Sequence, residues 1–458
     1  MKKRIYIHTI SACLTAILFI GCKSEYPHIE YEGELSEVTY ENIESPVPII
    51  VAVNDPIYVS YTRGMGAFED FKEEEDADEK WRNADFYVYA FYSPNGLPGT
   101  PLSAVDYKAR MNSGSEDMPP FCLVDDAIEG GFGHGRHARL DKNRESFLHW
   151  VKDDKIYYNK MHQQCRYKFF AYYLDNAATD PHTGRLNIPE RLSDRITYDV
   201  EIDGTQDLMC GCASPTEAQI ENLIKSGEKD IVNNIKALAY STITGNRDLF
   251  PIFQMKHHLT HLKFYVKAGS TNGIIDPEAA NVEITNISVV AQTKGKFTVA
   301  ADDETNMKAA FYGDTETLYI PIENAEGKIV PGTEDGFESY ISPSTDGREK
   351  EMGAGFLLPE SNNYKLKLHC RQLKYNADGT KQLDEHGNHK AINYTVMYTL
   401  NLKDDMFRAG YKYEITVHVY GHQKIKLGLG EVTWADGGKI EIDNEVSGGG
   451  YDMDYGYE

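Results

Sequence analysis

The chain has 458 residues, which allows roughly two or three domains with substantial cores, and it carries a formal net charge of −24. That surplus of acid repels phosphate backbones, so no nucleic-acid partner is expected. Aromatic residues make up 11% and include 31 tyrosines; tyrosine favours strands and can keep its hydroxyl wet at an exposed surface, which points to β structure.

The chain begins with Lys2-Lys3-Arg4, a largely apolar run from Ile10 to Ile20, and then Gly21-Cys22. A basic start, a short apolar segment and a small residue before cysteine describe an export leader over residues 1–21, with an apolar part too short to span a membrane comfortably. Phe19-Ile20-Gly21-Cys22 resembles a bacterial lipobox, which implies that Cys22 becomes the acylated first residue of the mature chain. An ordinary cleaved signal is the alternative. No later run has the length of a membrane span, so attachment would come through the lipid.

Residues 22–48 are acidic and end in Pro46-Val47-Pro48, the composition of a tether. Ile49 to Val53 and Tyr58 to Thr62 form strands around the turn Asn54-Asp55-Pro56, and the stretch ends at Arg63-Gly64. The acidic run Glu69 to Lys80 reads as a solvated loop. Phe86 to Tyr92 is apolar or aromatic throughout, as a strand buried on both faces is, and Tyr167 to Leu174 repeats the pattern. Together they predict one sandwich core over residues 49–250.

A short helical insertion is expected near residues 214–240. Ser214 serves as N-cap, Pro215 as first helical residue and Glu217 as the third, which makes a capping box. Ile220, Leu223 and Ile224 form one stripe, and Ile231, Ile235, Leu238 and Ala239 a second. From His257 to Lys267 polar and apolar residues alternate as in a strand. Further strands are predicted at Val282–Val290, Phe297–Ala300, Leu318–Ile322, Phe356–Leu358, Tyr364–Cys370, Tyr394–Leu402 and Tyr411–Tyr420. These make a second sandwich over residues 251–446, and the glycine- and tyrosine-rich residues 447–458 form a disordered tail.

Chemistry-bearing motifs are few. His257-His258-Leu259-Thr260-His261 would place two histidines on one face of a helix, but the alternation says strand and the glutamate of a zinc-protease motif is absent, so a polar strand face is expected. Gly130 to His137 is glycine-rich and cationic without a helix behind it, and reads as a mobile loop. Cys122, Cys165, Cys210, Cys212 and Cys370 cannot all pair; they read as small buried side chains with room for one disulfide. No serine or cysteine sits in a nucleophile elbow. The chain is read as a non-enzyme, with no catalytic, cofactor-binding or metal-binding residue expected.

Several segments, in order, resemble the fimbrillin family. They are the lipobox Cys22, Thr62-Arg63-Gly64, Phe169-Phe170-Ala171-Tyr172-Tyr173, Gln206-Asp207-Leu208-Met209, His258-Leu259-Thr260-His261-Leu262-Lys263-Phe264, Phe356-Leu357-Leu358-Pro359, Ala409-Gly410-Tyr411-Lys412-Tyr413 and Val432-Thr433-Trp434. The resemblance implies an all-β chain of two tandem transthyretin-like β-sandwich domains, exported as an outer-membrane lipoprotein to the cell surface and built into a fimbria. It implies cleavage by an Arg-directed protease between Arg63 and Gly64, loss of the strand before the cut, and filling of the groove by a C-terminal strand of the next subunit. Donor candidates are Tyr411–Tyr420 and Lys424–Trp434. Partners would be other pilus subunits, the membrane through lipid on Cys22, and a host protein or glycan. The helical insertion and the extra tail fit an accessory or tip subunit. The alternative is a surface glycan-binding lipoprotein with tandem β-sandwich modules that offers Trp150 or Tyr157 as sugar platforms.

Overall fold

The computed structural model describes residues 43–53, 84–92, 133–141, 144–152, 155–158, 160, 163, 167–191, 195–225, 240–301, 303–325, 327–402, 406–420, 425–433 and 439–440. All of them belong to a unit running from Asn42 to Glu458. The fold is all-β. Its first strands are β1 (Val51–Val53), β2 (Phe86–Tyr92), β3 (Arg136–Asp141), β4 (Arg144–Trp150), β5 (Tyr167–Tyr173), β6 (Glu190–Arg191), β7 (Arg195–Glu201) and β8 (Met209–Cys212). Helices α1 (Glu217–Lys225) and α2 (Thr242–Gly245) follow, then the short strands β9 (Ile252–Phe253) and β10 (Lys256–His257). Next come β11 (Thr260–Ala268), the hairpin of β12 (Ser270–Thr271) and β13 (Ile274–Ile275), β14 (Val282–Ala301) and β15 (Ala309–Tyr319). The hairpin of β16 (Ile322–Glu323) and β17 (Ile329–Val330) precedes β18 (Lys350–Glu351), β19 (Phe356–Leu358), β20 (Asn363–Leu373) and β21 (Ala391–Asn401). The last strands are β22 (Tyr411–Val419), β23 (Ile425–Thr433) and β24 (Lys439–Ile440).

The first sheet runs β10-β8-β5-β2-β3-β4-β1-β9. β9 and β10 are successive parts of one stretch, and that stretch also lies along β8, through Lys256↔Cys210, His257↔Met209 and a bridge from Phe253 to Ala213. The sheet therefore closes into a ring. Closure brings two backbones very near each other: a Cβ on Gly211 would stand 2.3 Å from the Gln254 carbonyl oxygen, so only glycine fits there. Paired residues share a face, so the register carries one apolar row around the inside. Leu148 stands opposite both Leu140 and Val51, and Phe86 opposite Ala138.

β2 and β5 are buried on both faces, as their largely apolar and aromatic sequence predicts, with Tyr87 and Lys168 half-buried. Their outer face, with Tyr89, Phe91, Phe170 and Tyr172, meets β7 and the end of β14 in a core that includes Tyr198, Val200, Phe297 and Val299. A second core lies between the start of β14, β20 and the sheet β18-β11-β22-β23-β24. It is mostly aliphatic, with Leu262, Val266, Ile284, Val289, Leu366, Leu368, Ile415 and Val417, and it also holds Phe264, Phe356, Tyr364, Phe407 and Tyr413. β14 serves both cores. Its 20 residues were expected as two strands, Val282–Val290 and Phe297–Ala300; the residues between them instead continue the strand, pairing with β15 on one edge and, from Lys294, with β7 on the other.

Four other expectations change. The capping box of α1 is Thr216 with Gln219, not Ser214 with Glu217: Gln219 N–H donates to Thr216 Oγ1 at 3.2 Å and Thr216 N–H to Gln219 Oε1 at 3.1 Å. Leu223 is buried while Ile224 is 43% exposed, so the predicted stripe is narrower. The histidine-rich stretch is a strand, but not a solvated one: His261 and Lys263 on β11 are 0% and 2% exposed. From Gly133 onward the glycine-rich segment is fixed in place rather than loose. Tyr89 Oη donates to the Gly133 carbonyl at 3.1 Å, and both Arg191 and Tyr172 donate to carbonyls of the same segment. Gly135 adopts φ +82°, and a Cβ there would lie 2.6 Å from the Val88 carbonyl oxygen.

The tyrosines are used differently from the surface role expected of them. Tyr89, Tyr167, Tyr172, Tyr198, Tyr364 and Tyr413 rank among the largest fully buried side chains. Burial of a hydroxyl requires a partner, and the Tyr172 and Tyr198 hydroxyls supply one another at 2.7 Å while His134 Nδ1 lies 2.8 Å from Tyr198 Oη.

Candidate functional site

β1 is the strand that completes the ring. Val47, Ile49, Val51 and Val53 alternate along one face and are 5%, 2%, 0% and 2% exposed, while Ile50 between them is 39% exposed. Period-two alternation of β-branched residues makes residues 47–50 amphipathic, whereas β1 itself is buried throughout, Ala52 being 2% exposed; the paired segment begins two residues before the expected start at Ile49. On one side it follows β4 and residues 156–158, with Val51↔Leu148, Ile49 N–H to the Ile156 carbonyl at 2.7 Å and Tyr158 N–H to the Val47 carbonyl at 3.0 Å. On the other it lies parallel to β9, with Ala52↔Ile252 and Val53↔Phe253.

Side chains reinforce this seat. The Trp150 indole N–H donates to the Ile49 carbonyl at 3.3 Å, and the Gln163 side-chain amide spans the Ile43 backbone, accepting from its N–H at 3.0 Å and donating to its carbonyl at 2.9 Å. Trp150, considered above as a sugar platform, is thus partly buried against β1; Tyr157 is 43% exposed and bridges Pro48. Sequence reasoning missed both Gln163 and the β9 partner. The one local hint of β9 is the apolar run Phe250-Pro251-Ile252-Phe253, too short to carry a period.

Cys22, Arg63 and Gly64 lie outside the described residues, as do Cys122 and Cys165, the acidic run 69–80, the second helical stripe at 231–239 and the tail 447–458. The two donor candidates fall on β22 and β23. β22 lies inside its sheet, parallel to β11 from His261↔Lys412 to Ala268↔Val419 and antiparallel to β23 over its whole length. β23 has β22 on one side and, among the described residues, only β24 at Glu431 and Val432 on the other.

The histidines do not converge. His257 Nδ1 lies 2.9 Å from Asp207 Oδ2, with Asp207 fully buried; His258 Nε2 lies 3.1 Å from Cys210 Sγ. His261 is held apart on β11. Among the described residues no group of three or more histidine, cysteine or acidic side chains is placed to hold a metal ion. Cys210, Cys212 and Cys370 are free thiols. Burial pushes all three well above the ordinary thiol value, so they are not thiolate nucleophiles at neutral pH. A cavity of about 260 Å³ opens beside β14 where β20 gives way to β7; Gln292, Ser361, Asn363 and Lys365 line it, and no histidine or cysteine does.

No family model matches the sequence, and no curated protein matches it either. Among solved structures, the chain is similar to a fimbrial protein from Bacteroides vulgatus, with 12% identity over 77% of this chain and 93% of that one and a TM-score of 0.39. A protein from Bacteroides uniformis named for cell adhesion is 15% identical over 85% of this chain and 99% of its own, with a TM-score of 0.37. The fimbrial anchor protein Mfa2 from Porphyromonas gingivalis is 11% identical over 86% and 99%, with a TM-score of 0.26.

Proposed function

We propose that this chain is a structural or adhesive subunit of a surface filament, in an accessory or tip position, and that β1 is a temporary plug for a groove filled in the filament by a strand from a neighbouring copy. The observation that carries this reading is the seat of β1 between β4 and β9, where a few residues close an otherwise continuous ring. Delivery as a lipoprotein through Cys22 and cutting between Arg63 and Gly64 complete the proposal. The two tandem sandwich domains expected from the sequence, 49–250 and 251–446, are part of the same proposal, although β9, β10 and the end of β14 follow residue 250 and pack with the first of them.

The physical logic is one of tethering. Each buried aliphatic side chain of Val47, Ile49, Val51 and Val53 contributes roughly 1.5–3 kcal/mol of burial, so the strand does not leave spontaneously. While it is part of the chain its effective concentration at the groove is very high. A cut after Arg63 removes that advantage, and a donated strand can then compete on equal terms through main-chain hydrogen bonds and alternate side chains. β4 and β9 run antiparallel to one another, so any strand between them makes one parallel and one antiparallel ladder. The groove accepts either direction. Of the two donor candidates β23 is the more readily released, because β22 would have to abandon a long ladder on each side, whereas β23 among the described residues leaves one long ladder and two pairs with β24.

The test is cleavage of the purified chain with an Arg-specific protease, followed by sequencing of the new N-terminus and electrophoresis without boiling. A start at Gly64 accompanied by detergent-resistant multimers is expected, and Arg63→Ala should abolish both. Clean cutting at that bond with only monomers would sink strand exchange, and normal polymerisation of Arg63→Ala would remove Arg63 from the mechanism.

A further inference from the structure

The sheet built on β14 has two long edge strands. β15 and β21 each have 11 residues, and among the described residues each forms a ladder on one side only, β15 with β14 and β21 with β20. A long edge is a template for another strand, and folded proteins blunt it with charge, proline or a bulge. β15 does so: it carries Asp314 and Glu316, and its register with β14 breaks between Gln292 and Lys294. β21 does not. Ala391 to Asn401 holds no charged residue and no proline, and its pairing with β20 runs from Asn363↔Asn401 to Leu373↔Ala391 without a shift. In a chain with 26% charged residues and a net charge of −24, this edge lets two copies approach without setting charge against charge along the strand.

The order of residues supplies an independent reason to expect a second copy there. Turned end for end about Val396, β21 matches itself: Ile392 falls opposite Leu400, Asn393 opposite Thr399, Tyr394 opposite Tyr398 and Thr395 opposite Met397. Such self-complementarity is what a two-fold contact requires. Tyr394, Val396 and Tyr398 lie half-buried at the margin of the aliphatic core, so a strand laid beside β21 would extend their cover. We propose that two copies of this chain associate through their β21 edges, antiparallel about a two-fold axis at Val396, and so merge their β14 sheets into one. Strand exchange at β1 plays no part in this contact, and the uncut chain suffices to test it.

Sedimentation velocity of the uncut full chain in mild detergent, over a concentration series, should show monomer and dimer in exchange. Thr395 and Met397 point to the exposed face of β21, so charge can be placed there without entering the core. Thr395→Lys with Met397→Lys sets like charges opposite one another at two symmetric contacts and should weaken the dimer about tenfold. Thr395→Lys with Met397→Glu sets opposite charges at the same contacts and should bring it back to within about threefold of the unmodified chain. A chain that stays monomeric throughout, equal loss in both double variants, or β21 amides protected from hydrogen exchange to the same degree at low and high concentration would each overturn the proposal.

Discussion

Among the described residues β1 pairs with β4 and with β9 at two positions each and is held further by the Val47–Tyr158, Ile49–Ile156 and Ala52–Pro251 backbone hydrogen bonds, whereas β22 has eight pairs with β11 and nine with β23. Both are buried to the same degree: Val51 is 0% exposed, and so are Ile415 and Val417. Burial therefore does not by itself tell how firmly a strand is held. In the proposal above the length of ladder that must open together does, with β1 as the strand that leaves and β22 as one that stays. The surroundings differ in part: the core outside β2 and β5 contains the Tyr172–Tyr198 hydroxyl pair, while the core under β22 is mostly aliphatic with ring contacts such as Phe264–Phe356.

The largest expected effect tests this contrast directly. Ile415→Ala should lower global stability by about 2–5 kcal/mol in urea unfolding, while Val51→Ala should cost about 1.5–2 kcal/mol and mainly speed hydrogen exchange along β4 and β9. Equal losses with no local exchange at Val51→Ala would break the distinction.

Acid probes the boundary between the two regions. Burial, reinforced by the Lys263 charge, holds His261 down to about 3, and burial with neighbouring His257 holds His258 down to about 4. In the unfolded chain both bind protons near 6.5. The unfolded state therefore holds more protons between those values; stability is complete above pH 6.5 and declines as pH falls toward 4 and 3, by an amount on the order of a few kcal/mol. Between pH 6.5 and 5, above most carboxylate titration, the melting temperature should fall, and His258→Asn with His261→Asn should flatten that slope. Trp150 fluorescence and far-ultraviolet circular dichroism recorded together sharpen the comparison: transitions at different pH would mean that the ring and the aliphatic sheet unfold separately.

The smallest effect concerns the aromatic core. Tyr172→Phe keeps the ring but removes the hydroxyl that meets Tyr198 and the His134 carbonyl, and should cost about 1–2 kcal/mol in the same urea measurement. No loss would show that the hydroxyl pair contributes nothing beyond packing.

Much of the strand inventory was legible from local pattern. Phe86–Tyr92 and Phe356–Leu358 coincide with β2 and β19, and Tyr364–Cys370, Tyr394–Leu402 and Tyr411–Tyr420 lie on β20, β21 and β22 to within a few residues. Alternation is a local property, and these strands display it. What could not be read locally depends on partners distant in sequence. Thr293 is 1% exposed in the middle of β14 because β15 and β7 flank it, although its neighbours are polar. Lys263 is buried because its ammonium reaches Glu351 at 3.3 Å across the sheet. The helix start was misplaced by two residues because Ser214 and Thr216 both head plausible boxes, and Gln219, which also donates to the Phe250 carbonyl at 2.7 Å, selects Thr216. The candidate site shows the same division: the hydrophobic strand itself is visible in Ile49 to Val53, while the ring it closes is set by pairings with residues near 148, 156 and 252.

β14 also has a mechanical meaning. Along one edge β20 ends at Val290 and β7 takes over at Lys294; along the other β15 runs from Ser288 to Phe297 and spans that gap. The arrangement is that of a splice plate bolted across a joint. A pull directed along β14 loads these ladders in shear, so that many hydrogen bonds resist at once instead of opening in turn. Under such a pull the overlap keeps the two cores from separating at their seam.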